Sequence, residues 1–503
     1  GSAIVVGNRV FVSSVVADEQ NIKPKKGLYL GKGVRDPARG IHHWMVYCFD
    51  LKTGAKLWEC EAKTGRPVVP RHPKSSYAAE TPATDGERLF VLFGDVGLYC
   101  YSLQGDLLWS RDIEPKKTNM DYGAAASPVV HDGQVFVVYD NLESSWIAAF
   151  DAKTGDEKWK TARDETHSWA TPLVWQNDQR TEIVVPGKNK NRSYSLDGEV
   201  LWEFDGDMSV LVIPSPFAAH GLCYIASGYV GDSHRPTFAI RPGASGDITP
   251  KGDYAESEFI EWYQPTSSAY NTSQIVYGDY LYTVYDQGFM TCHDAKTGEE
   301  IYGKRRFSPA GSFTSSPWAY DGKVFCLSED GLTYVIKAGR EFEILFTNPL
   351  DELCIATPSV ADGRLLVRTL TKLYCITGNE KVTQAKLKSD PSADLLAACM
   401  KGDLESARRS LKAGGNVNAK DPQGSSALHL ASFFAYPQIV SLLLDNGADK
   451  SAKNERGQRP LEVVQGPWNE QTARVYQFIG GMLDMKMDLE RIKKNRPVVA
   501  EIL

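Results

Sequence analysis

The stretch Asp50-Leu51-Lys52-Thr53-Gly54-Ala55-Lys56-Leu57-Trp58 sets a pattern that returns along the chain: an acid ending one apolar strand, a Thr-Gly turn, and a tryptophan in the next strand. Asp294-Ala295-Lys296-Thr297-Gly298 repeats the first half, and Thr154-Gly155 with Trp159 repeats the second. The turn glycine supplies the positive φ that a tight strand connection needs. Working outward, each copy opens with Ser/Thr-Pro, passes an Asp-Gly turn or a relative of it, and runs through two apolar strands into this motif. The clearest copies are Thr81-Pro82 to Trp109, Ser127-Pro128 to Trp159 and Thr171-Pro172 to Trp202. Ser215-Pro216 to Trp262 contains an insertion. Ser273 (followed by Gln274) and Ser316-Pro317 open two more, with Tyr302 and Leu345 in place of the tryptophan. A first copy keeps Gly7-Asn8-Arg9-Val10-Phe11-Val12 and ends at Trp58, and a last one runs from Thr357-Pro358 to Ile376. That makes eight.

Repeats of roughly 40 to 50 residues signal propellers or solenoids. Strand segments such as Val135-Phe136-Val137-Val138 after Asp132-Gly133 are rich in β-forming residues. Four short antiparallel strands per copy make a blade, and radial stacking protects the blade edges. The expectation is a mostly β chain with an eight-bladed β-propeller. The last copy lacks a Thr-Gly to Trp segment, so its outer strand must come from Lys381 to Leu387 or from chain preceding residue 1.

Ser/Thr-Pro, Asp-Gly, Asp-x-Lys-Thr-Gly and Trp together resemble the pyrroloquinoline-quinone-like propeller repeats, over roughly residues 3 to 376. That family includes quinoprotein alcohol dehydrogenases and also non-enzymatic propellers, such as the lipoprotein of the outer-membrane barrel-assembly machine. The resemblance implies the fold and export to the periplasm or beyond; one fold hosts unrelated activities, so function must be argued from the site. Quinone-dependent dehydrogenases of this type often carry adjacent cysteines against the cofactor, and this chain has no Cys-Cys pair.

Past residue 378 the composition turns to Lys, Ser and Asp, and 379–391 reads as a linker. Asn416-Val417-Asn418-Ala419-Lys420-Asp421 and Asp449-Lys450-Ser451-Ala452-Lys453-Asn454 lie 33 positions apart, the ankyrin period. Ser426-Ala427-Leu428-His429-Leu430-Ala431 and Ile439-Val440-Ser441-Leu442-Leu443-Leu444 read as the helix pair of one unit. The organisation predicted is a propeller over 1–378, a small all-α ankyrin domain over 392–483, and a terminal helix and tail over 484–503.

The 503 residues are 42% hydrophobic and 24% charged, ordinary globular values that leave a sizeable core to bury. A net charge of −7 with scattered charges argues against a nucleic-acid partner, and no apolar run approaches the length of a membrane span. The nine cysteines are an odd number. Cys48, Cys100, Cys292 and Cys375 recur at one repeat position where another copy has Ala149, so they read as small buried strand residues. Free cysteines and ankyrin units suit a cytoplasm as well, the alternative to export.

No P-loop, HExxH, GxSxG or EF-hand motif is present. If the innermost strand of each blade starts just before its Ser/Thr-Pro, residues a few positions earlier ring one mouth of the central channel. These are Tyr77, Glu80, Tyr122, His167, Trp169, Tyr270 and Asn271, with Phe313 and Glu352 further round. Aromatic faces beside a few polar groups suit a sugar, a peptide or a planar ligand, or else simply plug the channel. Glu80 stands out, because an acid against a channel wall is costly unless paired or wet. His42-His43-Trp44 ends an insertion that could reach the same mouth; as a metal site it is weak. The reading is a non-catalytic scaffold binding a protein or carbohydrate partner, with no catalytic residues, metal or cofactor. The alternative is an enzyme at the mouth, either a carbohydrate-active enzyme or a dehydrogenase using pyrroloquinoline quinone with calcium.

Overall fold

The computed structural model describes residues 1–18, 26–27, 35–250, 252, 257–378, 391–421, 424–483 and 487–503. It divides into two compact units, 1–380 and 381–503. In the first, the strands form eight sheets in chain order, each a meander in which successive strands pair antiparallel. Blade 1 runs from the strand Ile4–Val6 to Lys56–Gly65, blade 2 from Ala83–Thr84 to Leu107–Asp112, and blade 3 from Val129–His131 to Glu157–Ala162. Blade 4 spans Leu173–Gln176 to Val200–Phe204, with Gly246–Asp247 added parallel outside it. Blades 5, 6 and 7 span Phe217–Ala219 to Ile260–Gln264, Ile275–Tyr277 to Glu300–Arg306, and Trp318–Tyr320 to Ile344–Pro349. Blade 8 has Ser359–Ala361, Arg364–Arg368 and Leu373–Thr377 and, among the described residues, no fourth strand. The candidate outer strand 381–387 lies outside the described residues.

One expectation is corrected. The short inner strands start just after each Ser/Thr-Pro, at Ala83, Val129, Leu173 and their counterparts, not before it. The hydroxyl of that Ser or Thr explains the repeat. Each accepts a hydrogen bond from the backbone N–H of the equivalent residue one blade earlier: Ser2 to Thr81 (3.0 Å), Thr81 to Ser127 (2.9 Å), Ser127 to Thr171 (3.0 Å) and Thr171 to Ser215 (3.2 Å). Ser215 to Ser273 (2.9 Å), Ser273 to Ser316 (2.9 Å) and Ser316 to Thr357 (3.0 Å) carry this belt on to blade 8. Proline follows because the chain is extended there and its own N–H is not needed by the ladder. Blade 8 meets blade 1 directly: Ser359 Oγ donates to Ala3 O, and the Arg368 guanidinium donates to Ser13 O at 2.9 Å and Ser14 Oγ at 3.3 Å.

Farther out, the pairing of third and outer strands shifts register at the same place in blades 1 to 7, a bulge that aims the repeat tryptophan at the next blade. Trp58, Trp109, Trp159 and Trp262 each lie flat on the turn glycine of the following blade, Gly105, Gly155, Gly198 and Gly298, which have φ between +73° and +102°. Each indole N–H donates to a carbonyl one or two residues past that blade's third strand: Leu103 (3.1 Å), Ala152 (3.1 Å), Leu196 (2.8 Å) and Ala295 (2.9 Å). In blade 7 Phe346, opposite Val335, holds the tryptophan's place; Leu345 is the bulged residue, so its expected role is corrected. Cys48, Cys100 and Cys292 are fully buried, and burial pushes their thiols up to about 11 for Cys48 and about 12 for the other two. Cys375 is exposed, against expectation, because no described outer strand covers the third strand of blade 8.

The second unit carries helices α1 (Pro391–Lys401), α2 (Leu404–Lys412), α3 (Ala427–Phe433), α4 (Pro437–Asp445), α5 (Pro460–Val464), α6 (Glu470–Leu483) and α7 (Leu489–Ile502). Leu395, Cys399, Leu428, Val440, Leu443 and Val499 share its core. Ser426 caps α3, and His429 bridges repeats by bonding Ser426 through Nδ1 and the Gln458 carbonyl through Nε2 at 2.8 Å. The expected terminal tail is instead helix: α7 runs to Ile502, since Ile492 and Val499 are buried on one side of it. The expected start at Asp484 lies outside the described residues.

Candidate functional site

In a meander, the loop from one blade's outer strand to the next blade's inner strand emerges on the same face as the turn between second and third strands. The expected site residues all sit on those loops. Tyr122, Trp169, Leu211 and Tyr270, from four successive loops, pack into one buried cluster. The Tyr122 and Trp169 rings meet at 5.9 Å and 47°, the Trp169 indole donates to Gly123 O at 2.8 Å, and Tyr229 meets Tyr270 edge-on at 5.3 Å. These rings are packed against one another and buried.

Tyr77 sits elsewhere, in the core of blades 1 and 2, with His42 edge-on at 5.5 Å and its hydroxyl accepting from Ala38 N at 3.1 Å. His167 is half-buried between Thr166 Oγ1 and the Asn119 amide, and desolvation, then the Lys188 charge, lower its pKa. Phe313, expected at the mouth, is instead fully buried against Phe307 and Tyr334 in the core of blades 6 and 7, its backbone N–H tied to Asp286 O at 3.1 Å. His43 lies on the rim of blade 1, its ring nitrogens facing Glu61 (2.6 Å) and Asp18 (3.0 Å), which raise its pKa.

Glu80 belongs to a set. Its Oε1 accepts from Gly94 N at 2.9 Å, tying the loop before blade 2 to the turn of that blade. Glu165 does the same in blade 4, accepting from Asn189 N (3.0 Å) and Lys190 N (2.8 Å), and Glu352 in blade 8, accepting from Thr371 N (3.0 Å). In blades 5, 6 and 7 the acid comes from the turn and reaches back. Asp232 takes Val210 N (2.8 Å), Asp286 takes Tyr270 N (2.9 Å) and Asn271 N (3.0 Å), and Glu329 takes Thr314 Oγ1 (2.8 Å). Asn271 thus enters through its backbone. Six blades therefore use a carboxylate latch, of which the sequence reading found Glu80 and Glu352. An acid within two residues of the end of the second strand, as in Tyr285-Asp286 and Ser328-Glu329, is the signal for Asp286 and Glu329; Glu165 and Asp232 carry no such mark.

Burial sorts these carboxyls. Desolvation pushes Glu80 up to about 8 and Asp286 up to about 6, and raises Glu165. Neighbouring Asp95, held by the Tyr139 hydroxyl at 3.1 Å, is also desolvated and reaches about 6. On the rim, hydrogen bonds from Thr371 and Thr369 lower Glu352 instead. The loop between blades 1 and 2 adds a strap across the mouth: Lys74 bonds Thr314 Oγ1 at 3.2 Å and pairs with Glu329 of blade 7, the side chains 6% and 0% exposed. Sequence offered no sign of this contact, 255 positions apart.

Among the described residues no group of His, Cys, Asp and Glu could hold a metal ion, and no helix is long and apolar enough to cross a membrane. Residues 43–204 match the family model described as outer membrane protein assembly factor BamB, and residues 368–462 match ankyrin repeats in three copies. Human protein phosphatase 1 regulatory subunit 27 is 31% identical over 90 residues, 18% of this chain and 58% of that protein. Mouse oxysterol-binding protein-related protein 1 is 45% identical over 51 residues, 10% of this chain and 5% of that protein. The chain thus spans less than two thirds of these relatives. Among solved structures, BamB from Moraxella catarrhalis aligns with 75% of this chain and 100% of its own at 12% identity and a TM-score of 0.47. A europium-containing methanol dehydrogenase aligns with 73% and 82% at 11% identity and 0.45. By its repeats, the chain combines a BamB-like, pyrroloquinoline-quinone-like propeller in its N-terminal region with ankyrin repeats toward its C-terminus.

Proposed function

We propose that this chain is a non-catalytic scaffold that binds a protein partner. The observation that carries the reading is that the chemically capable groups at the mouth already hold the fold. Glu80 and Asp286 are engaged by backbone N–H groups, the Trp169 indole by Gly123 O, and Lys74 by Glu329. A general acid or base needs a substrate proton within hydrogen-bond reach, and these groups are turned inward. Pyrroloquinoline quinone with calcium does not suit this donor set either. The carboxylates a calcium ion requires are the latches, and Tyr122 and Trp169, tilted against each other, leave no parallel slot for a planar ring. The same packing favours a protein over a carbohydrate partner, since sugars are taken on open aromatic faces. Ankyrin repeats support the reading, as does the name of the human relative, a regulatory subunit.

The test uses the full chain. Chemical crosslinking in extracts of its natural host, compared between wild type and Arg456→Glu, a change at the exposed turn that Asn454 N closes on Gln458 O before α5, should show a partner retained by the first and reduced about tenfold or more in the second. Stoichiometric uptake of quinone and calcium, with substrate-dependent dye reduction abolished by Glu80→Gln, would overturn the proposal. Export belongs to the same proposal and rests on the repeat resemblance; recovery of the natural gene product in the cytoplasmic fraction would remove it.

A further inference from the structure

Blade 6 departs from the repeat on the face it turns to blade 5. By strand register, Thr283 stands where blades 2, 3 and 5 have Val91, Val137 and Ile225, and His293 where they have Tyr101, Phe150 and Ile240. Across the seam, Thr237 of blade 5 stands where blades 1, 2 and 3 have Val46, Leu98 and Ile147. Gln274 replaces the proline that follows Ser or Thr at the opening of six other blades. These departures meet: the Gln274 amide nitrogen donates to Thr237 Oγ1 (3.1 Å), Thr283 Oγ1 (2.7 Å) and Ser267 O (3.1 Å). On the same seam Ser267 Oγ and His293 Nδ1 are buried with no hydrogen-bond partner among the described residues. The seam between blades 2 and 3 is apolar by contrast, with Val135 and Val137 packed on Leu98 and Cys100. Polar faces that part exchange one another for water, and orphaned atoms gain partners, whereas parted apolar faces lose their burial outright. The outer half of the seam is pinned, since the Trp262 indole and the Tyr224 hydroxyl both donate to Ala295 O at 2.9 Å. Opening is thereby confined to the axis side.

The same seam divides the mouth cluster. Ser268 N is bonded to Arg235 O of blade 5 at 3.1 Å, whereas Tyr270 N is bonded to Asp286 of blade 6 at 2.9 Å, so the connecting loop changes hands at Ala269. Tyr270 thus belongs to blade 6. The rings and chains it closes against, Tyr122, Trp169, Leu211 and Tyr229, lie on the loops before blades 3, 4 and 5 and on the turn of blade 5. We propose that the ring opens on the axis side of the seam between blades 5 and 6, and that this opening carries Tyr270 off Tyr229 and uncovers the mouth. The device goes beyond the scaffold reading and does not depend on what the mouth takes.

The belt supplies a reporter amide for each seam. Those of Thr81, Ser127, Thr171, Ser215, Ser273 and Ser316 are each bonded to the next blade, on residues that are all half-buried. Residue-resolved hydrogen exchange of the full chain, corrected for intrinsic rates, should show Ser215, which spans blades 5 and 6, exchanging about tenfold or more faster than the other five. The variant Thr237→Val/Gln274→Pro/Thr283→Val replaces the polar set with residues found at those places in other blades, and should return Ser215 to the range of the rest. Hydroxyl-radical footprinting reads the mouth: Tyr270, 5% exposed, should be labelled more than the comparably buried Tyr139 at 4%, and the excess should vanish in the variant. A Ser215 amide no faster than the others would overturn the proposal, as would labelling of Tyr270 that does not exceed Tyr139 or that persists in the variant. The exchange and footprint comparisons in wild type decide the matter even where the variant fails to fold.

Discussion

Glu80 illustrates how a residue chosen for its chemistry can serve the fold. In the native state it gives up its proton near pH 8, against 4.5 for an ordinary glutamate. Between those values the native state holds a proton that the unfolded chain has lost, so stability falls as pH rises through that window and levels off above it. Glu80→Gln keeps an acceptor for Gly94 N and removes the titration. It should therefore be about 1 to 3 kcal/mol more stable relative to wild type at pH 9 than at pH 5. Thermal unfolding at the two pH values checks this, and an equal effect at both would refute the assigned burial. From sequence, Glu80 was visible as an acid in an unusual place; that it belonged to a repeated latch was not, because half the latches reverse direction between loop and turn.

Elements were legible to the extent that their chemistry is local. Thr-Gly turns, Asp-Gly turns and apolar strands marked eight blades, since each depends on φ, pattern and neighbours in the chain. What escaped were features that exist only once blades meet: the belt hydroxyls and the Lys74 strap, whereas packing of the repeated tryptophans between neighbouring blades was expected and only their seat on the turn glycines was not. The misplaced inner strand had the same origin, because the hydroxyls of Ser127 and its counterparts announce the bond from the preceding blade as much as the strand that follows. Ser127→Ala should cost about 1 to 2 kcal/mol by orphaning the Thr81 N–H, whereas Ser127→Thr should change stability by less than about 0.5 kcal/mol, as Thr fills the same place in Thr81 and Thr171. Urea unfolding of both variants distinguishes a belt bond from a packing role. Trp109→Ala should cost about 3 to 5 kcal/mol and Trp109→Phe about 1 kcal/mol, since phenylalanine retains the contact with Gly155 and loses the Ala152 bond.

For the whole molecule, the seam between blades 8 and 1 is where a ring of repeats must hold shut. Arg368 reaches across it to Ser13 O and Ser14 Oγ, and desolvation lowers its pKa, the mark of a cation held by carbonyls. Arg368→Leu should lower stability by about 2 to 3 kcal/mol, with faster amide exchange in both blades 1 and 8. Exchange confined to blade 8 would mean that the arginine only orders its own turn.

The belt has a direction: every donor is the N–H of one blade and every acceptor the hydroxyl of the next. Seven such bonds run from Ser2 to Thr357, and Ser359 and Arg368 join blade 8 to blade 1, so every step around the ring is bonded through space as well as along the chain. Joining the present ends of the propeller and cutting it anew in a loop between two later blades would leave these bonds in place, because none of them spans more than one blade step. Circular permutation should therefore be tolerated at several of these loops, and the covalent order of the blades is a matter of descent rather than of mechanics.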